Sequence, residues 1–401
     1  MAGGLMQLVA YGAQDVYLTG NPKVTFFQAV YKKHTNFAME NIEQTLNGTP
    51  SGSGRVSVTI ARNGDLVGEM YLEATVGTGI DTVRQPYFAE SLVKDIELSI
   101  GGQRIDKHYQ RWWRLWSELC LDDAKKVNWA KMTSTPNNTA GDKVYLPLIF
   151  FFNRNPGLYL PLIALQYHEV RLDIDLSASY SPTEVTSLKV WANYVYLDTE
   201  ERRRFAQKGH EYLIEQVQHT GNDTVSGTSQ KQVRLSYNHP VKGLVWCYSN
   251  STVSANLWNV SNVSTLSLDF VGSNVLPHHT GAAFLVDDAS TATEDAAGTL
   301  STFKLVLNGQ DRFKEQNGKY FNQVQPYCHH SGVPITGVYS YSFALKPEEH
   351  QPTGTCNFSR IDNAQVAVTQ RDGSNLTQEM FAVNYNVLRI QSGMGGLAFS
   401  N

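Results

Sequence analysis

The segment IELSIGGQRIDKHYQRW, residues 96–112, has a counterpart in FKLVLNGQDRFKEQ, residues 303–316. Gly102-Gln103 aligns with Gly309-Gln310 at a spacing of 207 residues. Each segment contains alternating apolar residues, a turn that ends in Gly-Gln, and then Arg and Lys. The repetition predicts two copies of one structural unit, with the Gly-Gln turn at an equivalent place in each.

Two further matches occur in the same order along the chain. Residues 58–73 align with residues 233–248 at a spacing of 175, and residues 42–44 align with residues 214–216 at a spacing of 172. The longer of these alignments places Asn63 on Asn238 and Gly68 on Gly243. Loops of different length between corresponding strands would make the spacing grow along the chain, so the matches indicate internal duplication.

Alternation of apolar and polar residues with a period of two dominates the chain. In RLDIDL (171–176), the apolar side chains of Leu172, Ile174 and Leu176 share one face, as in an antiparallel strand with one buried side. The same pattern recurs in residues 55–60, 232–237, 303–308 and 338–343. Many short strands in two similar halves predict an all-β double jelly roll, which is two eight-stranded antiparallel sandwiches in tandem with short helices in loops.

Local signals predict turns, helices and domain boundaries. Asn63-Gly64, within ARNGDLVG (61–68), lies between two alternating runs and predicts a hairpin. Apolar residues at helical spacing predict one helix over 107–126, and a second helix is expected at 198–207, capped by Asp198 or Thr199. The predicted domains are an extended N-terminal arm, a first jelly roll and a second jelly roll, over residues 1–24, 25–203 and 204–401.

The composition limits the function classes. Charged residues are 17% of the 401 residues, and the net charge of −4 gives no general reason to expect nucleic acid as a partner. Four scattered cysteines have no zinc-ligand spacing and are expected to be free thiols in a reducing compartment: Cys120, Cys247, Cys328 and Cys356. The N-terminus does not resemble a signal peptide, and no apolar run approaches 18 residues, so we expect folding in the cytosol.

Several polar clusters are candidates for catalysis or metal binding. The paired carboxylates are Asp122-Asp123, Asp287-Asp288 and Glu348-Glu349, and the histidine clusters are His168-Glu169, His278-His279 and Cys328-His329-His330. A metal site would need His278-His279 and Cys328-His329-His330 to meet in space. Adjacent residues of a strand point to opposite faces, so each of these clusters would offer one ligand at best. His168-Glu169 lacks the second histidine of a metalloprotease helix. We interpret all of these residues as loop or sheet-edge groups and predict no catalytic, cofactor or metal site.

A basic and aromatic cluster has two interpretations. It comprises Arg104, Lys107, Arg111, Trp112, Trp113 and Arg114. Such residues can stack on and neutralise nucleic acid. The preferred interpretation is an amphipathic helix with tryptophan in the core and arginine facing water or a neighbouring subunit, because the overall charge is slightly negative.

Several long segments closely resemble the major capsid proteins of large icosahedral double-stranded DNA viruses, above all the algal-virus and iridovirus type. The segments are 3–37, 100–109, 147–170, 307–313, 351–364 and 384–401. The resemblance implies a double jelly roll whose homotrimers form capsomers that tile the virion shell, with neighbouring capsomers, minor capsid proteins and an internal membrane nearby. It also implies no cofactor and no enzymatic activity. Together with the N-terminus and the net charge, it leads us to expect synthesis in the host cytoplasm and no direct nucleic-acid binding.

Two other functions remain open at this point. A two-domain jelly-roll protein that binds host carbohydrates would expose aromatic residues in loops, and Trp258 in NLWNV (256–260) is a candidate. A jelly-roll enzyme would bind a metal through the histidine doublets.

Overall fold

A computed structural model describes residues 3–80, 85–135, 139–178, 180–249, 270–271, 274–275, 298–371, 373 and 375–399. Contacts divide the chain into two units, Met1–Asn36 and Phe37–Asn401. None of the helices in these described ranges is long and apolar enough to span a bilayer.

The first unit contains two short helices, α1 (Gly3–Val9) and α2 (Val16–Thr19). We expected an extended conformation over residues 1–24, so these helices are a difference from the prediction. Leu, Met and Gln in GGLMQLV are good helix formers, which accounts for the first helix. The apolar side chains described within residues 3–36 are exposed.

The first ten strands form two antiparallel sheets. Sheet 1A has the order β1-β10-β4-β7, with β8 on β4, and sheet 1B has the order β2-β3-β9-β5-β6. The strands are β1 (Phe37–Gln44), β2 (Leu46–Asn47), β3 (Arg55–Thr59), β4 (Leu66–Val76), β5 (Val93–Ile100), β6 (Gln103–Tyr109), β7 (Lys143–Pro147), β8 (Leu160–Pro161), β9 (Val170–Leu176) and β10 (Val185–Leu197).

The later strands form two more sheets and a separate pair. Sheet 2A has the order β11-β22-β13-β19, with β20 on β13 and β23 on β22, and sheet 2B has the order β12-β21-β16-β17, with β18 on β16. The strands are β11 (His210–Val225), β12 (Lys231–Leu235), β13 (Pro240–Ser249), β14 (Phe270–Val271), β15 (Asn274–Val275), β16 (Leu300–Leu307), β17 (Gln310–Asp311), β18 (Gln316–Asn317), β19 (Val338–Ser342), β20 (Cys356–Asn357), β21 (Ala364–Gln370), β22 (Leu376–Gln391) and β23 (Met394–Leu397). The pair β14-β15 stands apart from the four sheets.

Both halves have the same strand order. When the short added strands are set aside, each A sheet contains the first, eighth, third and sixth strands of its half, and each B sheet contains the second, seventh, fourth and fifth. This is the order of a jelly roll. The predicted double jelly roll is therefore confirmed, with 43% of residues in strands and 20% in helices.

The two Gly-Gln turns occupy equivalent places, as the repeat predicted. One joins β5 to β6 and the other joins β16 to β17. Their two central residues have positive φ in both cases: 58° and 81° at Gly101 and Gly102, and 50° and 80° at Asn308 and Gly309. Positive φ at both central residues is the mark of the type I′ turn, whose twist matches that of a two-residue hairpin.

The hairpin predicted at Asn63-Gly64 is wrong. The strands on its two sides, β3 and β4, lie in different sheets, so the segment crosses from sheet 1B to sheet 1A. The corresponding link between β12 and β13 also crosses between sheets. Gly64 packs closely on Tyr194, because a Cβ at this position would lie 2.9 Å from the Tyr194 Cβ. The glycine therefore serves a close contact rather than a hairpin turn.

The structure differs from the single helix predicted over 107–126. Residues 107–109 end strand β6, and most of the rest of this segment belongs to two successive helices. Among the described residues of the second unit, the α-helices are α3 (Phe88–Ser91), α4 (Gln110–Cys120), α5 (Asp123–Thr133), α6 (Phe151–Arg154), α7 (Thr199–Gln207) and α8 (Gln325–His329). A π-helix covers Tyr320–Val324. Asp122 separates α4 from α5 because its Oδ1 accepts a hydrogen bond from the Lys125 backbone N–H at 2.9 Å, which caps α5. The second predicted helix is confirmed as α7.

Replacement of Gly309 by alanine tests the type I′ turn. A Cβ at this position would meet no atom within 4 Å, so the cost comes only from the positive φ. We expect Gly309→Ala to lower the free energy of unfolding by about 1 kcal/mol. Gly309→Asn is the matched control and should cost less, because asparagine tolerates this conformation. Equal losses in urea titrations of the two variants would contradict this reason.

Candidate functional site

The described carboxylate pairs organise loops. Besides the helix cap at Asp122, Glu349 Oε1 accepts from Lys346 Nζ at 2.8 Å. Glu348 accepts from the Ser331 backbone N–H at 3.0 Å and from the Ser331 hydroxyl at 2.7 Å. Asp287-Asp288, His278-His279 and Trp258 lie outside the described residues.

His168 joins the two halves of the chain. Its Nδ1 lies 2.9 Å from the carbonyl oxygen of Gly395, which belongs to β23 of the second half. Its ring also contacts the first Gly-Gln turn, since a Cβ on Gly101 would lie 2.3 Å from His168 Nδ1. The histidine predicted at a sheet edge is therefore part of a contact between the two jelly rolls.

Cys120, His330 and Glu348 are the described residues that could together hold a metal ion, since their potential ligand atoms lie within 4.8 Å of one another. The sequence associated His330 with Cys328, whereas the fold brings it to the end of α4. Burial raises the pKa of the Cys120 thiol to about 12, so the residue is protonated at neutral pH. Metals bind the thiolate, and Glu348 Oε1 already accepts from His330 Nδ1 at 3.2 Å. The contacts present attach the loop after α8 to α4.

The main site of contact between the jelly rolls is an edge-to-face junction, which we call the inter-roll interface. The edge strand β6 of the first roll lies against β11 of the second. The Gln216 side chain donates to the Ile105 carbonyl oxygen, and the Val217 backbone N–H donates to Asp106 Oδ1 at 3.0 Å. These bonds satisfy buried polar groups of both strands.

The apolar part of the inter-roll interface is the outer face of sheet 2A. It comprises Val217, Val245, Cys247, Val338, Phe381 and Val383, all packed in the core cluster of the first roll. The Trp112 ring of α4 lies 5.6 Å from the Phe381 ring, and the Tyr109 ring lies 4.9 Å from His219. Both faces of sheet 2A are thus buried. For this reason residues 338–341 of β19 do not show the one wet face that their alternation predicted.

A buried group of charges lies in the same interface. Glu215 Oε2 accepts from Arg154 of the first roll at 2.8 Å, and Glu215 Oε1 accepts from Lys242. Burial by itself would raise the pKa of Glu215, but the two cations outweigh it and hold this pKa below its ordinary 4.5. Burial lowers the pKa of Lys242, and Glu215 opposes that shift. A cavity of about 690 Å³ adjoins the group.

The basic and aromatic cluster also belongs to this region. Trp112 and Trp113 are buried, as expected. Arg114 is only 2% exposed, which corrects the expectation that it faces water or a neighbouring subunit. It lies 3.1 Å from Glu118 and stacks 3.6 Å from the centre of the Tyr87 ring. The i,i+4 spacing of Arg114 and Glu118 is visible in the sequence, but the contact with Tyr87 is not, because Tyr87 lies on a separate segment before β5.

The remaining members of the cluster make ion pairs or are exposed. Arg111 lies 3.4 Å from Glu379 of the second roll, and Lys107 lies 3.0 Å from Asp95. Arg104 is exposed. The arrangement therefore does not form a continuous basic surface.

The outer face of sheet 1A, which we call the open face, corresponds to the covered face of sheet 2A. It presents the half-buried side chains of Tyr71, Tyr145 and Trp191. Glu73 accepts from Trp191 Nε1 at 3.0 Å and pairs with Lys143 at 2.7 Å. A hollow of about 400 Å³ lies beside Tyr71 and Tyr145. This face is partly exposed and aromatic, whereas its counterpart is buried and mainly apolar.

Comparison with known families places both halves of the chain. The family described as "Large eukaryotic DNA virus major capsid protein" matches residues 201–396, and "Major capsid protein N-terminus" matches residues 25–198. The chain is similar to the major capsid protein of Paramecium bursaria Chlorella virus 1, with 45% identity over 449 residues and 100% coverage of both chains. It is also 45% identical, over 442 residues and with complete coverage of both chains, to the major capsid protein of Pyramimonas orientalis virus.

Solved structures agree with these matches. A quasi-atomic structure of the PBCV-1 virus capsid superimposes with a TM-score of 0.81 at 41% identity, covering 94% of this chain and 100% of that chain. The Faustovirus major capsid protein superimposes with a TM-score of 0.70 at 13% identity, covering 97% and 96% of the two chains, which shows a shared fold.

Replacement of Glu215 by glutamine tests the charge group of the inter-roll interface. The variant leaves Lys242 buried without its carboxylate, so we expect a loss of about 3–5 kcal/mol in the free energy of unfolding. Because the pKa of Glu215 is lowered in the folded protein, its stabilising effect is present above pH 4.5 and is lost as the pH falls further. The variant should lack this part of the acid dependence.

Glu211→Gln is the matched control, because Glu211 lies on the same strand and is 61% exposed beside Arg389. We expect this control to change the free energy of unfolding by less than about 1 kcal/mol. Denaturant titrations at neutral and acidic pH measure both variants. Equal effects of the two substitutions would show that the buried charge group does not stabilise the interface.

Proposed function

Because this chain belongs to the major capsid protein family of large eukaryotic DNA viruses and is a structural protein of the virion capsid, we propose that it forms the shell as homotrimeric capsomers with a near-hexagonal outline. The proposal rests on one observation, which is that the two jelly rolls of the chain have the same strand order. Three chains would bring six similar sandwiches around one axis. A trimer could then pack in a plane as a sixfold tile would.

The domain division belongs to the same proposal. The arm would cover residues 1–24, and the two jelly rolls would cover 25–203 and 204–401. Helix α7 supports the second boundary, because it follows β10 of the first roll and precedes β11 of the second. The exposed apolar side chains of the arm are suited to contact with other components of the particle.

The partners follow from a position in the shell. Contact with neighbouring capsomers is implied by the role of a capsid protein. We extend this to minor capsid proteins beneath the shell and to an adjacent internal membrane, with synthesis in the host cytoplasm and no enzymatic activity, no cofactor and no direct nucleic-acid binding. The net charge of −4 supports the last point.

Light scattering and electron microscopy of the purified protein test the trimer. We expect particles of three chains with a hexagonal outline, because six similar sandwiches would surround the threefold axis. A glycan array should show no binding, and this measurement separates a shell protein from a carbohydrate-binding one. Stable monomers at high protein concentration would contradict the proposal, and so would specific glycan binding by monomers.

A further inference from the structure

We propose that the open face of sheet 1A is the docking surface for a second copy of this chain, which contributes the helical segment 320–329 of its second jelly roll. This inference rests on the proposed trimer and identifies the two surfaces that meet within it. The occupant is inferred from the internal repeat, because the chain already contains one junction of the required kind.

The template is the inter-roll interface. Within one chain, the outer face of sheet 2A is covered by β6 and α4 of the first roll, with Trp112 against Phe381. Sheet 1A has the same strand order as sheet 2A. Its outer face is therefore the equivalent receiving surface, and nothing from residues 37–80, 85–135, 139–178, 180–249, 298–371 or 375–399 buries its aromatic side chains fully.

The covering element also has an equivalent in the second roll. In the first roll, α4 follows the fifth strand, β6, and precedes the sixth strand, β7. In the second roll, the π-helix and α8 follow the fifth strand, β17, and precede the sixth, β19. Segment 320–329 therefore occupies the place of α4, and it should cover a sheet of the next chain as α4 covers sheet 2A.

The exposure of segment 320–329 agrees with this role. Tyr327 is 89% exposed and Val324 is 46% exposed, although both lie on short helices whose other faces are buried. In α4, by contrast, Trp112 is buried, and its ring lies 5.6 Å from that of Phe381 in the other roll. Large apolar side chains that project from an ordered helix are typical anchors of protein interfaces.

The open face offers matching chemistry. Tyr71 and Tyr145 make an edge contact with ring centres 5.8 Å apart, beside the hollow of about 400 Å³. Trp191 is held by its hydrogen bond to Glu73. Rigid tyrosine and tryptophan side chains beside a hollow can receive an aromatic ring with little loss of side-chain freedom.

Charges on the two surfaces are also complementary. The open face carries Glu43, whose aligned partner Glu215 accepts from an arginine of the other roll in the inter-roll interface. Glu43 is 44% exposed and lies 3.0 Å from Lys189 on its own sheet. Arg312 and Lys314 precede the docking segment and are exposed. These two cations are not the topological equivalents of Arg154, but they would bring positive charge of the second copy toward Glu43.

Photo-crosslinking from position 327 tests the location directly. A chain with a photoreactive phenylalanine derivative in place of Tyr327 is purified as the assembled protein, irradiated and analysed by mass spectrometry of its peptides. We expect crosslinks between chains to peptides of β1, β4, β7 or β10. Crosslinks between chains to other surfaces only, or none at all in an intact trimer, would overturn the docking surface.

A pair of substitutions measures the contribution of the anchor. Tyr327→Asp should raise the concentration at which half of the trimer dissociates by at least about tenfold, because the charge would enter a desolvated hollow. Tyr167→Asp is the control, since Tyr167 is 75% exposed on a loop of the first roll, and it should leave that concentration unchanged. Circular dichroism verifies that both variants fold.

The outcomes separate this inference from the proposed function. A trimer that is unaffected by Tyr327→Asp, or equally weakened by the control, would refute the docking surface and leave the capsomer intact. A wild-type protein that never forms trimers would refute the proposed function, and the docking surface with it.

Discussion

Burial of both faces of sheet 2A is the constraint on which the rest of this structure depends. Its inner face packs on sheet 2B, and its outer face packs on β6 and α4 of the first roll. Each fully buried valine or phenylalanine of such a face contributes about 1.5–3 kcal/mol. This joint core explains why residues Phe37–Asn401 form one compact unit despite containing two separate sandwiches.

The polar groups of the same interface determine how the rolls meet. Glu215 already pairs with Lys242 of its own sheet, but it reaches Arg154 only when β11 lies in one position against the first roll. Gln216 reaches the Ile105 carbonyl in that same position. Buried ion pairs add little net stability over apolar packing, but a shifted arrangement would leave buried charges without partners. We infer that the apolar residues supply most of the attraction, whereas the charges set the register.

The two copies of the jelly roll have kept their topology and changed their outer surfaces. The covered face of sheet 2A is mainly apolar, and its charged residues Glu215 and Glu379 pair with arginines of the first roll. The open face of sheet 1A keeps Tyr71, Tyr145 and Trp191 together with carboxylates and lysines. A face that mixes aromatic and charged side chains can be exposed to water in a free chain and can still bind another protein. The difference between equivalent faces thus separates a permanent contact within the chain from contacts made during assembly.

The sequence alone determined the duplication, the antiparallel strands and the places of the two Gly-Gln turns. These features depend on short-range rules: side chains alternate along a strand, and Asn-Gly or Gly-Gly pairs tolerate positive φ. The same rules failed at Asn63-Gly64, because a local turn signal does not say whether the next strand joins the same sheet or the facing one. They also placed one helix over 107–126 where Asp122 caps a second helix.

Only the tertiary structure decided which residues from distant parts of the chain meet. Arg114 is buried where Tyr87 and Glu90, from the segment before β5, pack on it, and Cys120 lies near His330 because the loop after α8 reaches α4. Whether a sheet face is open or covered is likewise decided by the packing of one roll on the other. Such pairings join residues far apart in the chain, and neither periodicity nor spacing in a single sequence carries that information.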